Sequence, residues 1–74
     1  METIEVTFPT NIPKEKIIFI LEGTLKLNSK YTCEVEFDRF EDDENVFLVS
    51  SEYGANAFFL IGITASGIIE AFCR

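Results

Sequence analysis

The chain has 74 residues, 47% of them hydrophobic, and a formal net charge of −7 from 13 acidic and six basic side chains. That length bounds a single domain, residues 1–74, and the apolar content argues for a packed core and against disorder. So few cations, scattered among so many carboxylates, argue against direct DNA or RNA binding.

Residues 3–8 open the chain with strict alternation: Ile4, Val6 and Phe8 share one face, and Thr3, Glu5 and Thr7 the other. This is the pattern of a half-buried strand, stopped by Pro9. Asn11 can cap a helix with Pro13 in its first turn, where the missing N–H is not needed. From Lys14 to about Leu27, a 3.6-residue period places Ile17, Ile18, Ile20, Leu21 and Leu25 on one face. Glu15, Glu22 and Lys26 fall opposite, and Phe19 lies among them, pointing outward. Gly23 leaves open a shorter helix followed by an extended Thr24–Leu27.

A turn at Asn28–Lys30 leads into a second strand. There Tyr31, Cys33, Val35 and Phe37 alternate with Thr32, Glu34, Glu36 and Asp38. Glu41–Asn45 reads as a polar loop, and Val46–Ser50 as an apolar strand completing a hairpin. From Asn56, offered as a cap, the last segment is helical with Phe58, Ile61, Ala65, Ile68, Ile69 and Phe72 on its core side. Phe59, Leu60 and Ile63 lie on the far side with Glu70 and Arg74. The uncharged run from Tyr53 to Ile69 is too short and too interrupted for a membrane span, so a buried helix is predicted.

The order βαββα predicts an α+β fold: a three-stranded sheet with two helices on one face, like a ferredoxin-type fold without its last strand. A right-handed crossover would set the third strand antiparallel between the first two, with a meander as the alternative. The uncovered face would show Thr3, Glu5, Thr7, Glu34, Glu36 and Asp38.

Gly54-Ala-Asn-Ala-Phe-Phe-Leu-Ile-Gly62 resembles the Gly-x-Asn-Ala-Phe helix opening of some small bacterial and phage proteins. The resemblance covers nine residues and implies a helix beginning near Asn56 and a prokaryotic or phage source; it implies no activity. In that family the motif runs on into a long charged helix, whereas Ile63–Gly67 here is uncharged.

Catalytic chemistry finds little support. The absence of histidine removes the usual general base, a common metal ligand and every Ser–His or Cys–His pair. Cys33 and Cys73 are too far apart for a CxxC site and too few for a secreted framework, so two reduced thiols are expected. Met1–Glu5 lacks the basic and apolar regions of a signal peptide, which predicts a cytoplasmic protein. Gly54, Gly62 and Gly67 form no phosphate loop, and their spacing suggests close helix packing. The paired carboxylates Glu34, Glu36 and Asp38 could hold Mg²⁺ or Ca²⁺, but the acidic run lacks the Asp-x-Asp-x-Asp-Gly spacing. Neither a metal, a cofactor nor a catalytic residue is expected.

What remains is charge. Glu34, Glu36, Asp38, Glu41, Asp42, Asp43 and Glu44 place seven carboxylates within eleven residues, with only Arg39 among them. One reading makes them the solvated face of a strand and hairpin, guarding a sheet edge. The other makes them a surface that imitates a nucleic-acid backbone and docks on a basic partner, with Phe19 or Phe40 as apolar anchors. In size and charge the chain resembles small acidic phage proteins that inhibit host defence nucleases, anti-CRISPR proteins among them. The expectation is a non-enzymatic protein-binding inhibitor; the alternative is a homo-oligomeric structural protein. A homodimer is expected in either case, through Phe59, Leu60 and Ile63 first and the open edge of the first strand second.

Overall fold

The computed structural model describes residues 1–28 and 30–72. It is an α+β fold in the order β1 (Glu2–Pro9), α1 (Lys14–Asn28), β2 (Glu34–Glu41), β3 (Glu44–Ser51), α2 (Ala55–Phe72). The sheet has the order β1-β3-β2, and β3 runs antiparallel to both neighbours. The meander is thereby excluded.

Alternation makes one sheet face apolar. Phe8, Phe47, Val49 and Val35 meet Ile17, Leu21 and Leu25 of α1 and Ala57, Ile61, Ala65 and Ile68 of α2 in one buried cluster. Phe47 centres it, edge-to-face with Phe8 at 5.8 Å and with Phe37 at 5.6 Å. Complete burial of such a side chain contributes about 1.5–3 kcal/mol.

Helix α1 continues through Gly23 to Asn28, so the shorter alternative is not adopted. Buried Leu25 explains this, since ending at Gly23 would forfeit its packing. Pro13 directly precedes the first helical residue, and its carbonyl accepts the Ile17 N–H at 3.2 Å. The Asn11 amide, expected to serve α1, donates to the Phe72 carbonyl at 3.3 Å and so ties the end of α2 to the β1–α1 connection.

Helix α2 begins at Ala55, one residue before the expected cap Asn56, because Gly54 holds φ = +55° and its carbonyl accepts the Phe58 N–H. Glycine suits this positive φ; the only group a Cβ would meet is the flexible end of the exposed Glu2 side chain, which can move aside. The expected deep burial of α2 is not found. Only 22% of this 18-residue helix is buried, and by length and composition it is apolar enough to cross a membrane. Two helices over three strands leave its outer side uncovered. Leu60 packs against the core instead of facing away, and Ile69 is partly exposed instead of buried. Gly62 and Gly67 touch nothing that would exclude a Cβ, so helix packing within this chain does not explain them.

The second strand starts later and ends later than its alternation suggests. Glu41–Asn45 is not a loop: Glu41 pairs with Glu44 and Phe40 with Asn45, leaving a two-residue turn at Asp42 and Asp43. Both aspartates hold positive φ, 53° and 62°, as a tight turn compatible with strand twist demands. Of the turn expected at Asn28–Lys30, Asn28 belongs instead to α1, and Ser29 lies outside the described residues, as do Cys73 and Arg74.

Candidate functional site

The sheet face turned away from the helices is built by register. Thr3, Glu5 and Thr7 of β1 stand beside Ser50, Leu48 and Val46 of β3, with Glu34, Glu36 and Arg39 of β2 beyond. Glu41 and Glu44 extend the same face toward the turn. Asp38 is the exception. The register shifts between Phe37 and Arg39, so Asp38 is the extra residue of a β-bulge and Arg39 takes the outer position opposite Val46. The expected column Glu34, Glu36, Asp38 is broken by a cation.

That cation organises its neighbours. Arg39 Nε donates to Glu41 at 2.8 Å, its terminal nitrogens reach both oxygens of Glu5 at 3.2 Å across β3, and it also bonds Asp38. These bonds, Glu41 first, then Glu5 and Asp38, push the Arg39 guanidinium far above its ordinary pKa. Asp42 and Asp43 at the tip are exposed and make no ion pair with Arg39. The face and its turn therefore carry Glu5, Glu34, Glu36, Asp38, Glu41, Asp42, Asp43 and Glu44 around one guanidinium.

The lysines lie elsewhere. Lys14 Nζ sits 4.0 Å from the Phe37 ring centre on the helix side, Lys16 is over Phe72, and Lys30 is over Tyr31. Eight of the 13 carboxylates thus share the sheet face and its turn, while the other five lie with the lysines on the rest of the surface. Among the described residues, no group of three acidic or cysteine side chains is arranged to hold a metal ion.

The two proposed anchors are separated. Phe40 projects from the end of β2 on the helix side of the sheet, 60% exposed, beside the acidic turn. Phe19 lies on α1, 78% exposed, where it lines an apolar cleft with Ile20, Phe72 and the stems of Glu15 and Lys16. It is not part of the acidic face. Phe59 and Ile63 stand on the outer side of α2, 70% and 57% exposed.

Two carboxylates outside the acidic run matter as well. Glu5 joins the face through Arg39. Glu22 of α1 accepts the Val35 N–H at 2.7 Å, closing part of the β2 edge. Its charge, together with the larger effect of burial, pushes the half-buried Cys33 thiol up to about 11. Both are long-range pairings, and the only local signal was the phenylalanine spacing in Phe37-Asp-Arg-Phe40, which breaks strict alternation.

No protein-family model, curated protein or solved structure matches this chain.

Proposed function

We propose that this protein is a non-enzymatic binding module, a phage or bacterial inhibitor of the anti-defence type. Its acidic sheet face docks on the basic, nucleic-acid-binding surface of a partner protein and blocks it. The observation that carries this reading is the concentration of charge: eight of the 13 carboxylates, with one arginine, occupy the sheet face and its turn, while Lys14, Lys16 and Lys30 lie against rings elsewhere. Such a face steers a basic partner and holds it with salt-sensitive contacts. Arg39 weakens the field slightly but fixes three carboxylates in place, which lowers the entropy cost of binding.

The test starts with a partner recovered by pull-down from host lysate. Replacing Glu34, Glu36 and Asp38 with lysine slows association and flattens its salt dependence while the melting temperature changes little. Unchanged association kinetics in that triple variant would leave the acidic face as solvation only.

A second reading, self-association, draws on a different observation. Phe59 and Ile63 leave α2 with an apolar outer side in a small acidic protein. We infer a homodimer across that side, where Gly62 and Ser66 permit close approach. Light scattering at micromolar concentration checks it, with Phe59→Asp and Ile63→Asp expected to return the protein to 8.4 kDa.

A further inference from the structure

The sheet has two outer edges, and they are finished differently. On β2 the Val35 N–H is taken by Glu22, and the bulge at Asp38 spoils the line of backbone groups beyond it. Both devices discourage another strand from adding there. β1 has neither. It pairs with β3 over all eight residues without a register shift and contains no lysine or arginine. Among the described residues, no side chain is drawn onto its backbone as Glu22 is drawn onto Val35.

Beside this open edge, α2 forms a roof. Ala55 and Phe58 share a cleft of about 450 Å³ with Glu2, Thr3 and Ile4. An added strand needs only about 4.8 Å of width, and here it would lie beneath the flank of α2. A second copy pairing β1 to β1 would bring its own α2 alongside, and packed helices need about 8–10 Å between axes. A bare strand brings no second helix to be packed there. In the βαββαβ arrangement, this is the position that the last strand occupies.

The chemistry of the neighbours specifies the occupant. Toward the helices, an added strand would meet Ile4, Val6 and Phe58, which call for apolar side chains. On the other face it would meet Thr3, Thr7 and Glu5, whose carboxylate Arg39 already holds, at the margin of a surface with a net negative charge, which favours lysine or arginine over acidic side chains. We propose that the β1 edge captures an extended segment of the partner protein in which basic and apolar residues alternate, adding it to the sheet as a fourth strand. This rests on the acidic-face reading and gives the partner a shape as well as a charge.

The probe is an end-blocked eight-residue peptide alternating lysine with valine, matched to the length of β1 and titrated into the isotope-labelled protein. Expected are amide shifts and slowed hydrogen exchange along residues 2–8. N-methylation of one alternate set of peptide amides weakens binding about tenfold or more, because it removes the bonds to β1, while methylation of the other set leaves it unchanged. A peptide of the same composition with lysines and valines in separate blocks binds weakly. If all these peptides bind alike and perturb only Glu34 and Glu36, strand addition is overturned and the acidic-face reading stands. Absence of binding by every peptide also overturns strand addition, and the charge-reversed triple variant then decides the acidic face separately with the native partner. A dimer in which the β1 amides facing away from β3 are already protected overturns it in favour of a second copy.

Discussion

The two broad surfaces of this protein solve the same problem of a thin body in opposite ways. The sheet face contains Val46 and Leu48 at its centre and covers them with charge: Arg39 reaches across β3 to Glu5, and Val46 is left 3% exposed. The outer side of α2 has only Glu70 and leaves Phe59 and Ile63 in the open. A three-stranded sheet needs cover on one side only, so its other side is free to be polar. A second helix at the margin of such a sheet can bury little more than one stripe. The first surface covers its apolar residues within the chain, whereas the second leaves Phe59 and Ile63 exposed.

Both surfaces depend on the layer between them, and Phe47 is its keystone. Phe47→Ala removes the ring that touches Phe8 and Phe37 and leaves a cavity, for an expected loss of about 3–5 kcal/mol. In a domain this small, urea denaturation should show most of the native stability gone. A loss well under 1 kcal/mol would mean that the two surfaces are not held by one core.

The glycines separate the two sides further. Gly54→Ala forces a side chain onto a positive φ, with an expected cost of about 1–2 kcal/mol, while the flexible end of Glu2 moves aside. Gly62→Ala on the exposed side of α2 meets nothing and should raise stability by about 0.5–1 kcal/mol through helix propensity. If Gly62→Ala instead weakens self-association in light scattering, that side of α2 is the contact between copies.

How much of this was legible follows from the range of the interactions. Period-two alternation in residues 3–8 and the period-3.6 stripe through Ile17, Leu21 and Leu25 are local, and they located β1 and α1 well. The bulge at Asp38 was not local. It moves Arg39 outward because Phe40, three residues after Phe37, turns toward the helix side, and only pairing with β3 fixes that choice. Likewise, Glu5 and Glu22 looked like solvated positions on their own elements until a distant group claimed them. The helical wheel assigned Leu60 to the far side of α2 because it carries no information about how wide a stripe of the helix the core covers.

At the acidic turn, stability and charge can be set against each other. Asp43 holds φ = 62°, a conformation that costs a residue with a side chain about 1 kcal/mol relative to glycine. Asp43→Gly should therefore raise stability by about 1 kcal/mol in urea denaturation while removing one carboxylate from the tip. A variant that is more stable yet associates more slowly with the basic partner shows the tip acting through charge. Equal association rates would confine steering to the flat part of the face.

The effect confined to high pH is that of Cys33, which tests whether the β2 margin is as closed as Glu22 makes it. Burial, with Glu22 adding to it, raises the thiol from 9.0 to about 11. The folded state thus holds this proton more tightly than the unfolded chain does. Its contribution is complete below pH 9, declines as the unfolded chain ionises first, and is gone above pH 11. Tyrosines and lysines titrate in the same window, so the informative quantity is the difference between wild type and Cys33→Ala. Their stabilities should run parallel from pH 6 to 8.5, and wild type should then fall more steeply. Glu22→Gln should narrow that extra fall by removing the nearby charge. Parallel curves up to pH 11 would mean that water reaches the thiol and that this margin is open after all.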